Sequence, residues 1–122
     1  MTKIALVGHC GVDGPRIEAQ IQSILDAANV TTANDPDALN RVVEEGVDLL
    51  LFNRELGFGF DDEEGVEVMA ALRESHPSVK MMLISDYPDA QAAAKEVGAL
   101  PGFGKADLGT SKVEKALRNA LS

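Results

Sequence analysis

The sequence predicts an α/β domain in which five strands alternate with five helices, a pattern that prescribes one doubly wound parallel sheet with right-handed crossovers. The first observation is the run Asp48–Asn53, which is short, apolar and not alternating, as expected for a strand buried on both faces. The second is that stretches with helical spacing of apolar residues separate the candidate strands. The third is the length of 122 residues, which suits one domain, and we expect a single domain over residues 1–122.

The chain opens with a strand, a loop and a helix. Ile4–Val7 is a short buried-strand candidate, and the glycine-punctuated loop Gly8–Gly14 follows it. Pro15 suits the first turn of a helix. The apolar residues that follow it recur on one helical face: Ile17, Ile21, Ile24, Leu25 and Ala28. This order predicts the first strand–helix unit.

The second unit has a weaker strand and a clearer helix. Val30–Ala33 is a short β-branched strand candidate. Asp35 and Pro36 form a cap-plus-proline helix start, and Gly46 closes the helix. The apolar positions between them are Leu39, Val42 and Val43.

A long loop, residues 54–62, follows the central strand and carries glycine turn signals. The third helix is then marked by Val66, Met69, Ala70 and Leu72, and Pro77 ends it. Val79–Ile84 is the fourth strand. Pro88 opens a helix of small residues that runs to Val97 and is closed by Gly98.

The last unit has the poorest strand of the chain. Pro101 removes a hydrogen-bond donor from Ala99–Gly104, so we expect this strand at an edge of the sheet. The final helix is predicted to begin with a capping box formed by Ser111 and Glu114. Its apolar stripe is Val113, Ala116, Leu117, Ala120 and Leu121.

Amino-acid composition indicates the class of protein and its compartment. The chain is 45% apolar and 25% charged, which indicates a globular domain. Its formal charge of −9 argues against binding to nucleic acid or to an anionic membrane. The one cysteine, Cys10, excludes an intramolecular disulfide and fits a reducing compartment, and the apolar start is too short for a signal peptide or a membrane span. We expect a cytoplasmic protein.

Asn53 ends the central strand, and ligands bind at the carboxyl ends of the strands in open α/β sheets. Ser85 ends the fourth strand, Lys105 follows the fifth, and Gly8 and His9 follow the first. With these positions the chain resembles receiver domains of the bacterial response-regulator family over essentially its whole length. The resemblance implies a flavodoxin-like (βα)5 fold with strand order 2-1-3-4-5.

The resemblance also assigns positions in the receiver pocket. It implies that Asn53 stands in place of the phospho-accepting aspartate and that Gly8 and His9 stand in place of the acidic pair. Ser85 and Lys105 match the family's hydroxyl and lysine positions. Further departures are Ala106 in place of a proline, a loop about four residues longer before Gly65, and Phe103 as the only candidate for the coupling aromatic.

These departures change the chemistry that we expect. An amide cannot form a stable acyl phosphate, and Mg²⁺ prefers a site built on carboxylates, which Gly8 and His9 do not supply. We therefore predict a pocket that neither takes up phosphate nor binds Mg²⁺ tightly, with no metal and no cofactor. Asn53 could instead hold Lys105 or the Ser85 hydroxyl in one arrangement, the alternative being a Lys105 that caps the strand edge in solvent.

Two acidic features near the pocket each allow more than one role. The run Asp61–Glu64 fits a solvated helix start, because acids favour a helix N-terminus, or alternatively a partner surface or a weak metal site. Asp13 could replace a missing acid if the first loop folds back.

An enzymatic interpretation competes with the receiver. The spacing of Cys10 and Arg16, with five residues between them, resembles the phosphate-binding loop of low-molecular-weight tyrosine phosphatases. Against it, Asp13 would add negative charge to an anion cradle and Pro15 lacks a donor. Cys10 is otherwise a small loop residue and His9 a side chain at the pocket edge.

The sequence favours a degenerate receiver, a protein–protein interaction module in phosphorelay-like signalling that is independent of aspartyl phosphorylation and is not an enzyme. Receivers commonly signal through the face of the fourth helix, fifth strand and fifth helix, which here comprises residues 87–97 and 103–120. We expect a protein partner on that face, and a homodimer is compatible with it.

Overall fold

The computed structural model describes residues 2–61 and 63–122, without the side chain of Phe58, and contains one five-stranded parallel sheet in the order β2-β1-β3-β4-β5. The strands are β1 (Lys3–Val7), β2 (Asn29–Ala33), β3 (Leu49–Asn53), β4 (Met81–Ile84) and β5 (Leu100–Phe103). The helices are α1 (Asp13–Ile24), α2 (Pro36–Glu45), α3 (Gly65–Ser75), α4 (Pro88–Glu96) and α5 (Ser111–Leu121), with short 3₁₀ turns at Phe58–Phe60 and Lys105–Asp107. The predicted fold class and strand order are confirmed.

The central strand β3 is buried on both faces, as its unbroken apolar run predicts. Leu50 and Phe52 pack with α2, α3 and α4 on one side of the sheet. Leu49 and Leu51 pack with α1 and α5 on the other side. All four residues are fully buried, so β3 anchors both core layers.

The position of β3 also defines the functional edge of the sheet. It pairs with β1 on one side and with β4 on the other, with Phe52 beside Val7 and Asn53 beside Ile84. Because the strands are parallel, their carboxyl ends meet at one edge. Asn53 therefore lies between the residues that follow β1 and β4.

Helix ends agree with the sequence at α2 and differ at α5. The Asp35 carboxylate accepts a hydrogen bond from Ala38 N at 2.8 Å and caps α2, as predicted. The predicted capping box of α5 was wrong, because the cap residue is Thr110, whose Oγ1 accepts from Lys112 N. Glu114 instead bonds to Arg118 one turn later.

Helix α1 and strand β4 are shorter than the sequence predicted. Helix α1 ends at Ile24, so Leu25 and Ala28 lie in the following turn, where Ala28 N bonds to Leu25 O while both side chains still pack on the core. Strand β4 begins at Met81 rather than Val79, because Val79 N closes a turn with His76 O.

The fifth strand is an edge strand, as Pro101 predicts. Its pairing with β4 shifts register between Met82 and Ile84, which oppose Leu100 and Phe103 respectively. One extra residue therefore lies on β5, in a bulge next to the functional edge.

None of the described helices is long and apolar enough to cross a membrane.

Candidate functional site

A cavity of about 170 Å³ lies at the carboxyl edge of the sheet, where the sequence places the receiver-like pocket. Its lining includes three of the predicted site residues, Asn53, Ser85 and Lys105. The remaining lining residues are Arg54, Glu55, Ile84, Asp86 and Tyr87.

Asn53 uses its whole amide to bind backbone. Its Nδ2 donates to Gly8 O at 3.2 Å and to Glu55 O at 2.8 Å, while its Oδ1 accepts from Arg54 N at 3.0 Å. An aspartate could accept from Arg54 but could not donate to the two carbonyls when it is ionised. The amide at this position therefore ties the end of β1 to the loop that follows β3.

Gly8, which the resemblance places at one of the two acidic-pair positions, leaves no room for a side chain. Its φ of +70° is in the left-handed region that favours glycine. A Cβ placed on it would lie 2.6 Å from Leu56 Cδ2 and 2.8 Å from Leu56 Cα. Leu56, which is buried, thus occupies the space that a side chain at position 8 would need.

His9, at the other acidic-pair position, is turned into the protein. Its Nε2 donates to Leu51 O at 2.9 Å, so the neutral ring carries its proton there and Nδ1 is an acceptor. That Nδ1 is buried and has no hydrogen-bond partner among the described residues. Burial, opposed by the Leu51 bond and reinforced by the charge of Lys105, lowers the pKa of His9 from 6.5 to about 4.

Lys105 is paired with a residue from the first loop. Its Nζ donates to Asp13 Oδ2 at 2.7 Å, where Asp13 is the first residue of α1. This bond, more than any other contact, holds the pKa of the Asp13 carboxyl below its ordinary value. The loop therefore does fold back, and Asp13 supplies the negative charge opposite the pocket lysine.

Asn53 was expected to hold Lys105 or the Ser85 hydroxyl by hydrogen bonds, and this expectation was wrong. The three line one cavity, but no hydrogen bond joins them in the described part of the chain. Ser85 Oγ instead accepts from Tyr87 N at 3.1 Å. The physical reason is that the polar atoms of these side chains have other partners. Backbone groups bind the Asn53 amide and the Ser85 hydroxyl, and Asp13 binds the Lys105 ammonium.

Ala106, which the resemblance places where receivers have a proline, uses its backbone amide. The Asp86 Oδ1 accepts from Ala106 N at 3.2 Å. Gly104 makes this approach feasible, because a Cβ on it would lie 1.7 Å from the same Asp86 oxygen. The loops after β4 and β5 are therefore joined across the edge of the cavity.

Arg54, Glu55 and Tyr87 form the outer wall of the cavity and were not among the predicted site residues. The Arg54 guanidinium lies 4.7 Å from the centroid of the Tyr87 ring, and its Nη2 lies 3.1 Å from Glu55 Oε1. Tyr87 is 60% exposed. Their positions within two residues after Asn53 and Ser85 were the signal that could have found them.

The candidate coupling aromatic, Phe103, is fixed in the core. It is buried in the cluster that contains Val113 and Leu117. The preceding residue, Gly102, has no space for a side chain, since a Cβ there would lie 2.0 Å from Leu83 O. A side chain at position 102 is therefore excluded.

Gln91 of α4 covers the β4–β5 bulge instead. Its Nε2 lies 2.9 Å from Leu83 O, 3.0 Å from Ser85 O and 3.4 Å from Phe103 O. One amide group thus donates toward carbonyls of both strands and holds α4 against them.

The residues present do not fit the magnesium site that the receiver fold implies. Leu56 fills the space beside Gly8, the Asn53 Nδ2 is turned toward carbonyls, and His9 Nε2 binds Leu51 O. No group of three or more His, Cys, Asp or Glu side chains suited to a metal occurs among residues 2–61 and 63–122.

The acidic run begins in a turn and ends at a helix. Asp61 has a φ of +53°, and Glu64 is the residue before α3 without a side-chain capping bond. Glu63 O accepts from Leu56 N, which ties this loop to the residue that covers Gly8. Asp62 lies outside the described residues.

The loop of the phosphatase interpretation has one feature of a phosphate cradle and two that oppose it. Asp13 N donates to Cys10 Sγ at 3.3 Å, and Cys10 is exposed. However, Arg16 is directed to the Asp13 carboxylate at 3.8 Å with a side chain that is 58% exposed. That carboxylate stands where a bound phosphate would need positive charge.

Solved structures similar to this chain are receiver domains. A putative response regulator from Chloroflexus aurantiacus matches with a TM-score of 0.82 at 16% identity, covering 98% of this chain and 97% of that one. The signal receiver domain of an HD domain-containing protein from Pseudomonas fluorescens matches at 0.75 and 25% identity, covering 98% and 86%. The NtrX receiver domain from Brucella abortus matches at 0.75 and 19% identity, covering 98% and 97%.

The likeness lies in the backbone. No protein-family model and no curated protein sequence matches the chain. The fold is that of response-regulator receiver domains.

Proposed function

We propose that this receiver-fold domain acts in two-component signalling as a protein–protein interaction module that uses neither an aspartyl phosphate nor catalysis. The observation that carries the proposal is the amide of Asn53, which donates to Gly8 O and Glu55 O at the position of the phospho-acceptor. A group held in that way has no free nucleophilic oxygen, and an amide does not form an acyl phosphate.

The charges around the cavity support the same conclusion. Phosphoryl transfer needs anionic oxygens that hold a divalent cation. The carboxylates nearby are already engaged, Asp13 with Lys105, Asp86 with Ala106 N and Glu55 with Arg54. Lys105 is already paired with the Asp13 carboxylate, so its charge is balanced without a phosphate.

The face that we propose for the partner is formed by α4, β5 and α5. Gln91 fixes α4 to β4 and β5, and Asp86 fixes the loop before α4 to Ala106. A surface held by these contacts is preformed, which lowers the ordering cost of binding. A protein partner or a second copy of the chain could occupy it.

Exposure of the protein to acetyl phosphate with Mg²⁺, followed by intact mass and ¹⁵N amide spectra, tests the proposal. We expect no phosphoryl adduct, and no shift of the amides of residues 8, 53 and 105 with millimolar Mg²⁺ or beryllofluoride. A phosphorylatable receiver domain run in parallel verifies the reagents. An adduct on any Asp of the cavity, or a beryllofluoride complex there, would refute the proposal.

The phosphatase interpretation remains as a second candidate because Asp13 N donates to Cys10 Sγ, as a phosphate-loop amide does. It predicts turnover of p-nitrophenyl phosphate that is lost in Cys10→Ser and in Arg16→Ala. We expect no turnover, since the Asp13 carboxylate would repel the phosphate. Turnover that depends on Cys10 would favour this second candidate over the receiver module.

A further inference from the structure

The net charge of the chain comes from one segment. Residues 35–67 contain eleven acidic and two basic residues, whereas the rest of the chain contains nine of each, so this segment accounts for the whole charge of −9. It forms α2, β3, the long loop and the first turn of α3. All of its acidic residues that the structure describes are exposed.

Most of this charge is not compensated by ion pairs in the part of the chain that the structure describes. Among the ion pairs of the described residues, only the pair Arg54–Glu55 involves this segment. Asp37, Glu63, Glu64 and Glu67 take part in none of these pairs. Such a concentration of like charge destabilises a compact domain through self-repulsion and raises the local concentration of cationic partners.

The same surface contains an apolar groove between α2 and α3 with a volume of about 210 Å³. Pro36 and Leu39 of α2 form one wall, Val68 and Leu72 of α3 form the other, and Phe60 from the long loop also lines the groove. Glu63 also lines the groove, and Asp37 and Glu67 are the sequence neighbours of its lining residues Pro36 and Val68. The groove therefore combines an apolar interior with an acidic border.

The groove is preformed because the loop that carries Phe60 is tightly held. Phe60 is 1% exposed and belongs to the core cluster of that face. The adjacent Gly59 passes so close to the chain before α2 that a Cβ on it would lie 1.9 Å from Asn34 O. Phe60 N and Glu63 N are both bonded within the loop, to Gly57 O and Phe60 O.

We propose that the α2–α3 groove docks a positively charged segment of a partner protein, with one apolar side chain in the groove and Lys or Arg side chains on the acidic border. Charge complementarity selects this occupant, because nucleic acid and anionic membranes would be repelled. A second copy that presented the same face would bring two acidic surfaces together. The site is separate from the α4–β5–α5 face and does not depend on the function proposed above.

The test uses a short amidated helical peptide with lysines along one side and a single leucine, together with the same peptide in which alanine replaces the leucine. Binding is measured by fluorescence anisotropy, and its location by ¹⁵N amide shifts of the full chain. We expect shifts in α2, α3 and residues 57–61, weaker binding at higher salt, and a preference of roughly fivefold for the leucine peptide from burial of its side chain.

Matched variants separate the groove from the general charge. Ala71 also lines the groove. Ala71→Gln fills the groove without changing charge, so the preference for leucine should disappear. Glu63→Gln with Glu67→Gln should weaken both peptides by roughly three- to tenfold, since exposed charges each contribute a modest amount. Glu96→Gln with Glu114→Gln removes the same charge from α4 and α5 and should leave both affinities nearly unchanged.

Four results would overturn the proposal. Equal binding of the two peptides to the unmodified protein would mean that charge alone attracts them. Equal weakening by the two double variants, or shifts centred on α4 and α5, would place the binding elsewhere. Concentration-dependent shifts of groove amides together with self-association in sedimentation would make a second copy of the chain the occupant.

Discussion

The side chain of Leu56 lies in the space beside Gly8 that any side chain at position 8 would need. A Cβ there would lie 2.8 Å from the backbone Cα of Leu56, so moving only the flexible end of the leucine would not relieve the contact. The left-handed φ of +70° adds a second penalty for any residue other than glycine. The missing acid is therefore excluded by packing as well as absent from the sequence.

Gly8→Ala should destabilise the domain by about 2–4 kcal/mol, the sum of left-handed backbone strain and overpacking against Leu56. Gly11→Ala is the matched control, since a Cβ at Gly11 meets no atom within 4 Å among the described residues. Urea unfolding of both variants measures the difference. Equal stabilities would show that the loop after β1 relaxes freely and that Leu56 does not close the pocket.

Asn53→Asp should also destabilise, although it restores the side chain that receivers phosphorylate. An ionised carboxylate would face Gly8 O and Glu55 O with no hydrogen to donate, at a cost of roughly 2–4 kcal/mol at neutral pH. The pKa of the new carboxyl should be raised in the folded state, because only its protonated form can donate. With a raised folded pKa, the variant should lose stability as the pH rises through the titration.

Urea unfolding of this variant at several pH values measures that loss. Asn40→Asp on the exposed surface of α2 is the control and should show no comparable dependence. If Asn53→Asp were as stable as the unmodified protein at neutral pH, the bonds from Asn53 Nδ2 to Gly8 O and Glu55 O would not contribute to stability.

His9 makes the domain sensitive to acid. Its folded pKa of about 4 lies below the ordinary 6.5, so the unfolded state binds more protons between these values. The stability that depends on neutral His9 is complete above pH 6.5 and is lost as the pH falls toward 4. Between pH 7 and pH 5 the loss should be about 2 kcal/mol.

His9→Gln can still donate to Leu51 O but does not titrate, so it should lack this loss. Comparing the two proteins by urea unfolding at pH 7 and pH 5 cancels the effect of all other groups. His76→Gln is the control and should keep the acid loss. Parallel pH profiles for His9→Gln and the unmodified protein would contradict the buried neutral imidazole.

Patterns that depend on burial were readable in the sequence. The unbroken run of β3 has no polar residue before Asn53 because both of its faces are covered, and Pro101 identified β5 as an edge strand. The sequence did not predict which of two neighbouring polar residues caps a helix. Thr110 and Ser111 are adjacent residues that both suit a cap, and only the path of the turn before α5 selects Thr110.

The positions of the site residues followed from strand ends, but their partners did not. The sequence located Asn53, Ser85 and Lys105 at one edge, and it named Asp13 as a substitute acid without a reason to prefer it. Lys105 and Asp13 are ninety-two residues apart in sequence. Their bond depends on how the first loop folds across the carboxyl edge of the sheet. Leu56 and Gln91 were missed because long-range close approaches to Gly8 and Gly102 leave no periodic signal.

Gln91 should control the rigidity of the proposed partner face. Gln91→Leu keeps a helix-compatible side chain but removes the amide that lies near Leu83 O, Ser85 O and Phe103 O. We expect a destabilisation of about 1–3 kcal/mol, because part-buried carbonyls lose a donor. Hydrogen exchange should also accelerate at the Ser85 amide, which bonds to Phe103 O across the β4–β5 pair.

Gln22→Leu, at an exposed position of α1, makes the same chemical change away from the bulge and should alter neither quantity. The comparison separates loss of the bridging amide from a general effect of leucine in a helix. If both variants exchange Ser85 at the same rate as the unmodified protein, the bulge is held by backbone pairing alone. In that case α4 would be free to move relative to β5, and the partner face would not be preformed by Gln91.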